Sequence, residues 1–92
     1  MAKERRRVVY SGRVQGVGFR FTCERLASGF DVGGFVRNER DGTVLLVAEG
    51  EAETLDQFLA AVQTAMGRNI HAVAVEVEEL TDPFRPGLEI RY

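Results

Sequence analysis

Val8-Val9-Tyr10-Ser11-Gly12-Arg13-Val14-Gln15-Gly16-Val17-Gly18-Phe19-Arg20 changes backbone period partway along its length. Val8 to Tyr10, with Val14 beyond, are β-branched and aromatic residues that predict a strand, and Gln15 to Gly18 form a glycine-rich loop behind it. Phe19, Cys23, Leu26, Ala27 and Phe30 then recur at helical spacing, so a helix begins where the glycines end and closes near Gly29. The unpaired N–H groups of a helix start therefore meet a backbone that can take positive φ at Gly16 and Gly18. That combination is an anion cradle, and Arg20 in the first helical turn adds a planar fork of donors.

The remaining elements follow outward from this loop. Gly33-Gly34 lead into a strand over Phe35-Val36-Arg37-Asn38, and Asp41-Gly42 signals a tight hairpin into a strand over Thr43 to Ala48. From Glu51, Leu55, Phe58, Leu59, Val62 and Met66 predict a second helix, with Gly67 where a C-terminal cap belongs. Val73, Val75 and Val77 alternate with Ala74, Glu76 and Glu78, the pattern of a half-buried strand. Pro83 and Pro86 mark a connection, and Leu88 to Tyr92 can add a short fifth strand. The order is β-α-β-β-α-β, which predicts an α+β, ferredoxin-like α/β sandwich: a four-stranded antiparallel sheet with two helices on one face, over a single domain at 5–92.

Composition narrows the function classes. The 92 residues are 45% hydrophobic, enough for a modest core without staples, and the longest apolar run, Val44 to Ala48, falls far short of a membrane span. A soluble, cytoplasmic monomer is expected. One cysteine, Cys23, and one histidine, His71, give neither a disulfide nor a zinc site; Cys23 reads as a buried, inert thiol and His71 as a surface residue in a connecting loop. The net charge of -2 argues against a generic nucleic-acid surface. Charge is nonetheless uneven: residues 1–25 hold seven basic and two acidic side chains (+5), leaving five basic and twelve acidic (-7) for the rest. Arg5-Arg6-Arg7 reads as a solvated entry to the first strand.

Other phosphate motifs do not fit. The Walker loop ends in Gly-Lys-Ser/Thr, whereas the only lysine is Lys3, and Phe21 stands where the dinucleotide fingerprint needs its third glycine. Gly12-Arg13-Val14-Gln15-Gly16-Val17-Gly18-Phe19-Arg20 does resemble the first signature of the acylphosphatases. Gly34-Phe35-Val36-Arg37-Asn38, followed by Gly42, Val44 and Gly50, resembles the second, with Asn38 at the family's spacing from Arg20. The resemblance runs from about Val8 to Tyr92; Tyr10 stands where the first signature usually has an aliphatic residue.

The resemblance implies hydrolysis of a small-molecule acyl phosphate to a carboxylate and inorganic phosphate, without metal or cofactor. In that reading Gln15, Gly16, Val17, Gly18, Phe19 and Arg20 bind phosphate and Asn38 orients the attacking water. Inorganic phosphate is then product and inhibitor, with no nucleic-acid or membrane partner. In some relatives the C-terminal carboxylate pairs with the loop arginine, which here would join Tyr92 to Arg20. The chemistry suits the residues: an acid anhydride has a good leaving group, so charge stabilisation and a positioned water suffice, and an amide can position water without being a strong base. Two rivals share the element order or the loop: a non-enzymatic phosphate- or RNA-binding ferredoxin-like module, and an acylphosphatase-like domain that handles carbamoyl phosphate. Against the RNA rival, the strand over Thr43 to Ala48 has no aromatic residue.

Overall fold

The computed structural model describes residues 2–92. Along the chain lie β1 (Lys3–Gly12), α1 (Phe19–Ala27), β2 (Gly33–Asn38), β3 (Val44–Glu51), α2 (Ala52–Met66), β4 (Ile70–Glu79) and β5 (Gly87–Arg91). The strands form one sheet in the order β4-β1-β3-β2-β5, antiparallel except where β5 runs parallel to β2. This is the expected ferredoxin-like α+β architecture; the short terminal strand that the sequence permits completes a five-stranded, mixed sheet.

Both helices lie on one face of the sheet. Val8, Tyr10, Val36, Val44, Leu46, Ala48 and Leu88 from the strands meet Phe19, Cys23 and Ala27 of α1 and Leu55, Phe58, Val62 and Met66 of α2 in one buried cluster. Phe30 packs its ring 5.8 Å from Phe58, and Tyr10 lies 4.9 Å from Phe19, which ties the end of the glycine loop to the first strand. Burial pushes the Cys23 thiol up to about 12, so the cysteine is the inert core residue that its place on the helix predicts.

Several local expectations are corrected. Strand β1 begins at Lys3, so Arg5, Arg6 and Arg7 lie within the sheet instead of leading into it. Arg5 and Arg6 are held by partners far away in sequence: Arg5 bonds to Glu49 at 2.7 Å and Asp82 at 3.0 Å, and Arg6 to Asp56 of α2 at 2.5 Å. The hydrogen bond from Arg5 to Glu49 contributes most to raising the Arg5 guanidinium above its usual value. The hairpin between β2 and β3 is a longer loop than the tight turn expected, closed by Glu39 N–H to Thr43 O at 2.9 Å. There the Asp41 carboxylate accepts from Thr43 Oγ1 at 2.6 Å and Thr43 N–H at 3.0 Å, which lowers its pKa. Gly67 does stand at the C-cap of α2, with φ -54, and leads into a 3₁₀ turn over Gly67–Asn69. His71 is exposed but belongs to β4, which starts at Ile70.

The largest correction concerns β4. Alternation predicts half-buried valines, yet Val73, Val75 and Val77 are 44%, 51% and 56% exposed. Two helices side by side cover roughly 20 Å, about four strand spacings, so a fifth strand on one edge projects beyond them. Helix α1 packs over β2 and β5 and α2 over β3, and β4 is the strand left outside.

Candidate active site

Strand β1 delivers Val14 to the buried core, and the loop behind it turns through two left-handed glycines, Gly16 at φ 75 and Gly18 at φ 77. A Cβ at either position would meet nothing within 4 Å, so backbone conformation, and not crowding, requires glycine there. Gly18 caps α1 without a side-chain hydrogen bond, and the first turn contains no acidic residue. The earliest helical donor at this end is Thr22 N–H, which bonds to Gly18 O at 2.9 Å. The N–H groups just before it sit at the positive end of the helix with no intrahelical acceptor, as an anion site requires.

Around this turn lies a cavity of about 220 Å³ lined by Val14, Gly16, Gly18, Phe19, Arg20, Phe21, Asn38, Ile90 and Tyr92. Asn38 reaches it through strand alternation. It is the last residue of β2, paired with Val44, and shares a face with buried Val36 two residues earlier. A one-residue slip of β2 would aim the amide at the open side of the sheet.

Five residues singled out in the sequence, Gly16, Gly18, Phe19, Arg20 and Asn38, thus line one cavity. Gln15 and Val17 do not line it. The Gln15 side chain donates from Nε2 to Glu39 O at 2.7 Å and Thr43 O at 2.9 Å, clamping the glycine loop to the β2–β3 connection. Val17 is exposed at the loop tip.

Val14, inside the first signature, also lines the cavity, as do Phe21, Ile90 and Tyr92, which no motif marks for it. Leu88, Ile90 and Tyr92 alternate onto one face, but what they face depends on the parallel pairing of Val36 with Ile90, for which no local signal exists. Tyr92 does meet Arg20, in a different manner from the carboxylate pair suggested by some relatives. Its ring centroid lies 4.7 Å from the guanidinium, while Arg20 donates from Nη1 to Arg91 O at 3.1 Å. Among the described residues no carboxylate pairs with Arg20 in an ion pair, and no cluster of three metal-binding side chains occurs. Among the described residues no helix is long and apolar enough to cross a membrane.

A glycine loop at a helix start, one arginine and one amide thus share one cavity, an arrangement with the donors that an anionic group would need. The Acylphosphatase family model matches residues 6–90. The chain is 42% identical over 82 residues to an acylphosphatase of Salinibacter ruber, covering 88% of this chain and 85% of that one. It is 40% identical over 76 residues to an acylphosphatase of Oceanobacillus iheyensis, covering 83% and 84%. The crystal structure of acylphosphatase from Bacillus subtilis superposes with a TM-score of 0.83 at 29% identity, over 97% of this chain and 99% of that one. The chain belongs to the acylphosphatase family.

Proposed function

We propose that this acylphosphatase hydrolyses acyl phosphates in the cytoplasm as a single chain, with the phosphoryl group held by the backbone N–H groups from Gln15 to Phe19 and by Arg20. The observation that carries this reading is the meeting of Gly16, Gly18, Arg20 and Asn38 at one cavity. Asn38 orients a water in line with the anhydride bond. A water oxygen–phosphorus bond forms, the phosphorus–acyl oxygen bond breaks, and the acyl group leaves as a carboxylate with the electron pair. The attacking water loses its proton to solvent, leaving inorganic phosphate, which also inhibits by occupying the same cradle.

The chemistry supports these roles. The transition state of phosphoryl transfer spreads negative charge over the equatorial oxygens, where N–H dipoles and a guanidinium fork stabilise it. A carboxylate leaving group needs no general acid, so the amide of Asn38 serves to place water and is not required as a base. A nucleophilic role for Cys23 is disfavoured by its full burial and raised pKa. All of these groups come from one chain, which supports the monomer as the catalytic unit, and a fold held by its core with a buried free thiol suits a reducing compartment.

The open face of the sheet is a poor base-stacking platform, which weighs against the RNA-binding rival. Its aromatic residue, Phe35, is covered by the guanidinium of Arg91 at 3.9 Å and flanked by that of Arg37 at 5.5 Å. Hydrolysis of benzoyl phosphate in the presence of chelator, followed by loss of ultraviolet absorbance, tests the proposal. Turnover that inorganic phosphate inhibits is expected; a folded protein that binds phosphate without turnover would overturn it in favour of a binding module.

A further inference from the structure

The glycine loop has few anchors of its own. Gly16 and Gly18 take left-handed φ with no side chain to pack, and Val17 is exposed at the tip. Between buried Val14 and Phe19, among the described residues, the Gln15 side chain is what ties the loop to another element. Its Nε2 donates to Glu39 O at 2.7 Å and to Thr43 O at 2.9 Å, using both N–H donors of the amide. Glu39 follows Asn38, and Thr43 precedes Val44, the residue paired with Asn38 across β2 and β3. The clamp therefore grips both strands one residue beyond the Asn38–Val44 pair. Neither carbonyl depends on it: Glu39 O also accepts from Gly42 N–H at 3.2 Å, and Thr43 O from Glu39 N–H at 2.9 Å. The β2–β3 connection is closed by its own backbone, and what Gln15 adds is the alignment of the glycine loop against it.

We infer that the Gln15 side chain is a positioning residue, which sets the phosphate-holding backbone against the Asn38 amide so that water meets phosphorus in line with the bond to be broken. The inference rests on the roles proposed above for the loop and for Asn38. Two left-handed glycines leave a loop many conformations, and bonds to a fixed neighbour remove some of them before substrate arrives. In-line displacement depends on placement, and an error of about 1 Å can cost about 10²-fold in rate. The side chain acts from outside the cavity, which it does not line.

Kinetics of two variants beside the parent protein test this. Gln15→Met keeps the length of the side chain and removes both donors. Its kcat for benzoyl phosphate is expected to fall about 10- to 100-fold, while inhibition by inorganic phosphate and the urea midpoint change little, because cradle and fold persist. Gln15→Glu gives a readout that a purely structural role would not move. A carboxylate has no donor for the two carbonyl oxygens, whereas the neutral acid gives one O–H to either of them. Its kcat relative to the parent is therefore expected to rise several-fold as pH falls through the titration of the introduced carboxyl group. Normal kcat in Gln15→Met beside an active parent would overturn the inference alone. So would a parallel loss of phosphate inhibition, which would assign the clamp to the shape of the cradle, or a Gln15→Glu deficit that does not change with pH. A parent without turnover would overturn the proposed reaction and this inference with it.

Discussion

The guanidinium of Arg20 stacks 4.7 Å from the ring centroid of Tyr92, and one of its nitrogens donates to the Arg91 carbonyl at 3.1 Å. A side chain from the first turn of α1 is thus anchored on the last residues of the chain. Neither partner is an anion, so the contacts restrict the rotamers of Arg20 ahead of binding and leave its cation for an anionic substrate.

Replacing that fork therefore has a cost beyond charge. Arg20→Lys retains a cation but cannot offer paired donors in a plane, and turnover is expected to fall about 10² to 10³-fold with weaker inhibition by inorganic phosphate. Steady-state kinetics with phosphate as competitor measure both; near-normal values would remove Arg20 from the site.

Tyr92 contributes through the same contact at an exposed position, where cation–π attraction is worth about 0.5 to 1 kcal/mol. Tyr92→Ala is expected to lower kcat/KM by about 2- to 5-fold with little change in stability. An unchanged kcat/KM would show that the Arg91 carbonyl alone is sufficient.

Asn38 is assigned to water and not to phosphate. Asn38→Ala should lose turnover while inorganic phosphate still binds, as isothermal titration can show. Loss of phosphate binding as well would make Asn38 a binding residue.

Gly34 in β2 has φ 116, and a Cβ there would collide with the Val47 carbonyl oxygen. Because a backbone atom cannot swing aside, Gly34→Ala is expected to destabilise by about 1 to 3 kcal/mol or more, displacing β2 and with it Asn38. Urea unfolding and residual activity report the two effects; a wild-type midpoint would contradict the predicted clash.

Burial favours the neutral thiol of Cys23, raising its pKa from 9.0 to about 12 in the fold. As pH climbs past 9.0 the unfolded chain loses this proton first, so the contribution to stability is complete below that point and declines as pH approaches about 12. Alkylation at pH 9.0 should be slow in the native protein and fast in denaturant. Rapid native labelling would refute the buried assignment.

Local chemistry alone makes the cradle and the element order legible in the sequence. Positive φ demands glycine, so Gly16 and Gly18 declare a left-handed turn, and the change of apolar spacing at Phe19 declares the helix that supplies its N–H groups. Asn38 is legible through its place in the second signature, since a strand end before a turn is otherwise an ordinary setting for asparagine. The features written into the chain this directly are those that depend on near neighbours: the loop conformation, the helix faces, the strand alternation and the donor groups at Arg20 and Asn38.

Long-range packing governs which of these faces are covered and which distant groups meet. Arg5 and Arg6 look solvated in sequence because their partners Glu49 and Asp56 lie more than forty residues away. The alternation of Val73, Val75 and Val77 announces an apolar face, but two helices are too narrow for five strands, and that width leaves β4 outside. Tyr92 reaches Arg20 because β5 pairs in parallel with β2, a long-range choice of strand partner that no short-range period encodes.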